Sequence, residues 1–91
     1  MLATYSEFGR RVKENGSLGT DHGTASQMFV VTPTGKAGLF GKHPSLSDLD
    51  ENQDMKFNTD FRSVYATLLE GWLGVPSGDV LGGKFEQVGF V

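Results

Sequence analysis

The apolar positions between residues 59 and 73 recur with the period of an α-helix. Asn58 or Thr59 is suited to the N-cap and Asp60 to the first turn, where its charge complements the helix dipole. Gly74, at the left-handed cap position, and Pro76 after it predict where the helix ends. Large apolar side chains share one helical face through steps of three and four residues: Phe61, Val64, Tyr65, Leu68, Leu69, Trp72 and Leu73.

Elsewhere the pattern predicts short strands joined by glycine-rich loops. Residues 1–6 are typical of the end of a strand, and a strand at the start of the chain leads us to expect a larger architecture that begins upstream. The continuous apolar run 28–31 is typical of a strand buried on both faces, as in a parallel sheet. Residues 13–25 and 41–56 are predicted loops. The tail 77–91 is predicted to be irregular, with three docking anchors, Phe85, Val88 and Phe90.

Composition and charge narrow the classes of function. The 91 residues carry a net charge of -3 and no basic stripe, which argues against nucleic-acid binding. The chain has no cysteine, so disulfides and thiolate metal sites are excluded. It has no apolar run long enough for a membrane span and no secretory signal, so we expect a cytoplasmic chain without membrane partners. Its length predicts a single small domain, 1–91, or a piece of a larger domain.

Two segments near the N-terminus combine charged or ligating side chains. Asp21 and His22 adjoin one another between Gly19 and Gly23, and a carboxylate beside an imidazole can bind a divalent cation. The same residues also fit an Asx turn with a surface histidine. Glu7 and Arg10 follow the first predicted strand, where Glu7 could bind a metal and Arg10 an oxyanion, or the two could form a solvated ion pair.

An acidic segment further along has oxygen-bearing residues at alternate positions, like the start of a calcium loop: Asp48, Asp50, Asn52 and Asp54. Gln53 stands where the turn of a calcium loop has glycine, and Thr59 stands where it has a bidentate glutamate. These two departures favour a solvated acidic loop. His43 is the only other histidine, and it is either a loop residue or a weaker metal-ligand candidate.

Several of these segments together resemble a known family. Their order along the chain is Thr4–Val12, Gly19–Ala25, Gly38–Ser45, Thr59–Leu69 and Trp72–Val75. In this order they resemble the C-terminal part of the domain of unknown function 1501 family, which belongs to the alkaline phosphatase and sulfatase superfamily. The resemblance covers nearly the whole chain. It implies a partial C-terminal piece of an alkaline-phosphatase-like α/β sandwich, with residues 59–73 as a late helix of that fold.

The resemblance also implies a divalent metal, zinc above all, bound by Asp and His side chains at strand ends. Glu7 with Phe8 occupies the strand-end position but lacks the histidine, whereas Asp21 with His22 keeps the residue types in a later loop. We therefore expect Asp21 and His22 as ligands, with Glu7 contributing and Arg10 holding an oxyanion. Relatives are exported, and the nucleophile of the superfamily lies in an N-terminal region for which this chain has no counterpart.

Three functional hypotheses follow. The first is a C-terminal fragment that is not catalytic alone and that associates with itself or with a missing N-terminal portion. The second is a metal-dependent phosphate or sulfate ester hydrolase that is active only as an oligomer or with a partner chain. The third is a non-enzymatic assembly module. Its basis is an exposed sheet edge that pairs readily with another copy, and a helix face with Phe61, Leu69 and Trp72 that needs a partner surface.

Overall fold

Four short strands and three short helical segments make up the regular structure of residues 1–91, all of which the computed structural model describes. The strands form two small antiparallel sheets, so the chain is a small mixed α/β protein. The predicted class is confirmed at this level, whereas the parallel pairing expected for the run 28–31 is wrong. Residues 1–32 and 42–58 form a first body, and residues 33–41 and 59–91 form a second.

In the first body, strand β1 (Leu2–Ala3) pairs with strand β4 (Val30–Val31). The two strands are antiparallel, with Leu2 opposite Val31 and Ala3 opposite Val30. The prediction that β4 is buried on both faces is wrong, because Val31 keeps 65% of its surface exposed. A ribbon of two strands covers neither of its own faces, so the apolar composition of β4 does not by itself predict that the strand is buried.

Strands β2 (Gly9–Glu14) and β3 (Thr20–Gly23) form a hairpin. The turn is held by Asn15, whose side-chain oxygen accepts hydrogen bonds from the backbone N–H groups of Ser17 and Gly19. The prediction of a loop over 13–25 is therefore wrong at residues 13–14 and 20–23, which lie in the two strands, and residues 15–19 form the turn between them. The hairpin is polar because it lies largely in solvent, and main-chain pairing needs no apolar pattern to form it.

The buried centre of the first body is small. Ala25 is its buried hydrophobic residue, and it lies against Gly9 at the start of β2. Asp54 is also buried, and its carboxylate forms an ion pair of 2.9 Å with Nε of Arg11. The segment 41–56 otherwise lacks regular structure beyond one bridge between Leu49 and Met55, which agrees with the predicted loop.

The second body contains helix α1 (Phe61–Thr67), a π-helical segment (Leu68–Trp72) and helix α2 (Ser77–Leu81). The N-cap is Asp60, which accepts a hydrogen bond from the N–H of Arg62, rather than the predicted Asn58 or Thr59. Gly74 has a φ of 66°, which confirms the predicted left-handed end of the helix. Helix α2 was not expected in the irregular tail. None of these segments has the length and apolar character of a membrane-spanning helix.

The buried face of α1 differs from the predicted one. The buried positions are Ala66 and Thr67, whereas Phe61 and Trp72 of the apolar stripe remain 57% and 40% exposed. Small side chains face inward because the C-terminal tail packs there: the Thr67 hydroxyl accepts the N–H of Val88. The tail also carries Phe90, buried as predicted. The apolar stripe of the helix is thus only partly covered within this chain.

Candidate functional site

The β2–β3 hairpin brings two of the candidate site residues together. Arg10 lies directly opposite His22 in the register of the strands, and its Nη1 donates a 2.8 Å hydrogen bond to the carbonyl oxygen of Thr20. Phe8 stacks on the His22 imidazole, with ring centroids 3.7 Å apart and planes 8° from parallel. The Arg10 guanidinium lies 5.1 Å from the centroid of the Phe8 ring.

Phe8, Arg10 and His22 therefore form one cluster, which we call the hairpin cluster, with Arg10 and His22 exposed and Phe8 half-buried. Phe8 was not expected in this cluster; the one local signal is the two-residue spacing that places Phe8 and Arg10 on one face of an extended chain. An imidazole and a guanidinium side by side offer hydrogen-bond donors to an anion.

Asp21 and His22 diverge because successive residues of a strand point to opposite faces. The Asp21 carboxylate accepts a hydrogen bond of 3.1 Å from Nδ2 of Asn15, at the turn. Glu7 is exposed in the bend before β2, and His43 contacts the carbonyl oxygen of Pro44 through Nδ1. No group of three or more His, Cys, Asp or Glu side chains is arranged to bind a metal ion. Within one chain, the ligand set implied by the resemblance does not fit zinc.

The acidic segment uses its carboxylates internally. Oδ1 of Asp50 accepts hydrogen bonds from the N–H groups of Asn52 and Asp54, both of 2.9 Å. Asp48 forms an ion pair with Lys56 at 3.0 Å, and Asp54 forms one with Arg11. Gln53, at the position where a calcium loop has glycine, adopts a φ of 65°. The carboxylates thus close the turn on itself, in the manner of an Asx turn.

A second cluster lies in the second body and was missed from the sequence. The Glu70 carboxylate accepts hydrogen bonds from the Ser77 hydroxyl at 2.8 Å and from Nε2 of Gln87 at 2.7 Å. These three residues line an open cleft of about 460 Å³, together with Lys84 and Phe85. The partners of Glu70 are 7 and 17 residues away along the chain, so no local sequence motif predicts the cluster.

The hydrogen bonds to Glu70 make a pH-dependent contribution to stability. The Ser77 hydroxyl and backbone N–H, followed by Gln87 and nearby Lys84, hold the pKa of Glu70 below its ordinary value of 4.5. A lowered pKa means that the folded state prefers the carboxylate, so the contribution is present above pH 4.5 and is lost as the pH falls through the lower folded value. We expect Glu70→Gln to lower the melting temperature at pH 7 and to have a shrinking effect below pH 4.5. Thermal unfolding from pH 7 to pH 3 measures this.

Glu86→Gln is the matched control, because it removes the same charge from the same cleft without touching the bonds of Glu70 to Ser77 and Gln87. An equal, pH-dependent loss in both variants would show that net charge, and not this hydrogen-bond network, causes the effect.

Comparison of this chain with protein-family models, curated proteins and solved structures gives no significant match. The likeness to the domain of unknown function 1501 family therefore remains a resemblance that rests on the sequence segments alone.

Proposed function

We propose that this chain is a C-terminal portion of an alkaline-phosphatase-like α/β protein that is not catalytic alone and that associates with itself. The family part of the proposal rests on the sequence resemblance, and the exposed surface supports self-association. The chain exposes 6896 Å², whereas a globular monomer of 9.8 kDa exposes about 5,200 Å². Two separate bodies of half that mass would still expose only about 6,200 Å². The chain therefore has surface in excess however its bodies are counted.

The size of this excess suits an interface. It lies between about 700 and 1,700 Å², and a standard protein–protein interface buries about 800 Å² on each partner. The buried hydrophobic residues are only Ala25, Ala66 and Phe90, while Leu18 and Leu39 are almost entirely exposed. Single exposed apolar residues are ordinary, but so small a buried core is not, because burial of apolar surface is the main force that stabilises a fold.

The lack of activity in a single chain has two supports. The proposed ligands Glu7, Asp21 and His22 do not converge on one point, and the sequence contains no nucleophile with an adjacent base. We expect the purified chain to sediment as a dimer or larger species at micromolar concentration, and to turn over neither p-nitrophenyl phosphate nor p-nitrophenyl sulfate, with or without zinc. Sedimentation and absorbance at 405 nm measure the two properties. A monodisperse monomer at high concentration contradicts self-association, and clear metal-dependent turnover contradicts the absence of catalysis.

A metal-dependent ester hydrolase that works only as an oligomer is the second candidate, favoured by the juxtaposition of Arg10 and His22 in the hairpin cluster. It requires a second copy to complete the ligand set. Under this hypothesis, zinc at a hundredfold excess over its Kd raises stability by about 2.7 kcal/mol, and Asp21→Ala and His22→Ala abolish the gain. Under the first proposal, zinc leaves the melting temperature of all three proteins unchanged.

A further inference from the structure

The β1 edge of the β1–β4 ribbon has unused backbone groups. The N–H of Thr4 donates a 2.9 Å hydrogen bond to the carbonyl oxygen of Phe29, which continues the pairing of Leu2 with Val31. Hydrogen-bonded and non-hydrogen-bonded pairs alternate along an antiparallel ladder. Ala3 and Val30 therefore form a non-hydrogen-bonded pair. The N–H and C=O groups of Ala3 point away from β4.

This edge lacks the features that keep strands from pairing with other chains. Residues 1–5 include no charged side chain and no proline, and these are two of the usual means of protecting an edge. The β2–β3 hairpin contrasts with it, because its strands carry several charged side chains: Arg10, Arg11, Lys13, Glu14 and Asp21. The other edge of the ribbon, along β4, is followed two residues after Val31 by Pro33, and proline close to an edge is one of the usual protections.

We propose that the β1 edge is the self-association site, and that it pairs antiparallel with β1 of a second copy about a two-fold axis at Ala3. This inference rests on the proposed self-association and adds its location. A two-fold axis at Ala3 places Ala3 of each copy opposite the other and Leu2 opposite Thr4. The paired segments carry no like charges to repel one another, and both outward groups of Ala3 find partners.

The resulting four-stranded sheet has the order β4–β1–β1–β4 and gathers the exposed apolar side chains of each ribbon on one face. Leu2 and Val31 lie opposite each other and so share a face, and Phe29 shares it by alternation. These three side chains are 60%, 65% and 63% exposed in the single chain. Pairing of the edges doubles this apolar strip, which explains why a second copy is favoured over an unrelated polar partner.

Ala3→Pro and Val30→Pro form the test by sedimentation. Each removes an outward N–H from one edge of the ribbon at the same position of the ladder, and proline is tolerated at edges whose N–H faces solvent. We expect Ala3→Pro to weaken self-association at least about tenfold, because two symmetry-related hydrogen bonds are lost in the dimer. Val30→Pro should associate like the parent. Circular dichroism checks that both variants are folded.

A disulfide gives an independent readout of register. The chain has no cysteine, so Ala3→Cys introduces a single thiol. Directly opposed residues of a hydrogen-bonded pair have Cα atoms about 5.5 Å apart, within disulfide range. Ala3→Cys should therefore form a covalent dimer under mild oxidation, and Leu2→Cys, two positions out of register with its own copy, should not.

Different results would contradict self-association and its location at the β1 edge. If the parent chain is a monomer at every concentration, self-association itself is wrong. If the parent associates but Ala3→Pro associates equally well, or if Leu2→Cys crosslinks as efficiently as Ala3→Cys, then self-association stands and the β1 edge is the wrong surface.

Discussion

Gly9→Ala is expected to unfold the first body. A Cβ atom at this position would overlap the carbonyl oxygen of Ala25 and lie 2.5 Å from its carbonyl carbon. Both atoms belong to the backbone, so no side-chain rotation relieves the clash. Ala25 is 3% exposed and is the buried hydrophobic residue of this body. If its backbone moves away from β2, the buried centre of the first body becomes exposed to solvent. We expect a loss of more than about 3 kcal/mol, beyond the usual range for an overpacked core.

The measurement is chemical unfolding followed by circular dichroism, with amide exchange on the β2–β3 hairpin as a local readout. Gly16→Ala is the matched control: it is the same substitution, at the turn of the same hairpin, and its Cβ meets nothing within 4 Å. Its effect should be below about 0.5 kcal/mol, as for surface sites generally. Equal stabilities for the two variants would mean that β2 does not lie against Ala25 as described.

The helix of the second body shows which features the sequence could specify. Its place in the chain and its left-handed end at Gly74 were predictable because both depend on residues within one or two turns. The N-cap was misplaced by one or two residues, since Asn58, Thr59 and Asp60 all have suitable side chains. The observed choice depends on Arg62, whose guanidinium binds the Asp60 carboxylate at 2.7 Å and lies 4.5 Å from the ring of Phe85.

The buried face of that helix could not be predicted in the same way. Periodicity identified an apolar stripe and assigned it to the core, but Ala66 and Thr67 are the buried residues. The reason is the C-terminal tail, whose contacts join positions about 20 residues apart and have no local signature. An apolar stripe shows that a surface is to be covered, and it does not show whether this chain or another covers it.

The candidate site shows the same contrast between features set by nearby residues and features set by distant contacts. Arg10 and His22 were each predicted from local context, but their opposition depends on a hairpin that the polar sequence 13–25 did not reveal. Asp21 and His22 were expected to act together because they are neighbours in sequence, and a strand separates neighbours to opposite faces. The Glu70 cluster was missed for the converse reason, because its partners are brought together by tertiary packing alone.

Thr67→Val is expected to detach the C-terminal tail from helix α1. Thr67 is 1% exposed. Its hydroxyl donates to the carbonyl oxygen of Ser63 at 2.8 Å and accepts the N–H of Val88 at 2.7 Å. Valine has nearly the same shape but cannot accept a hydrogen bond, so the Val88 N–H is left without a partner at a partly buried position. The expected loss is about 1–3 kcal/mol, the desolvation cost of a buried donor.

Hydrogen exchange at the Val88 amide identifies the cause of this loss. In Thr67→Val the amide should exchange faster than in the parent, and the exposure of Phe90, which is 7% in the parent, should rise as the tail loosens. Thr67→Ser is the control: it loses one methyl group, worth about 0.8 kcal/mol, but keeps the hydroxyl. Its Val88 amide should stay protected. Faster exchange in Thr67→Ser with protection kept in Thr67→Val would assign the tail contact to packing of the Thr67 methyl group, whereas protection retained in both would mean that Val88 is held by groups other than Thr67.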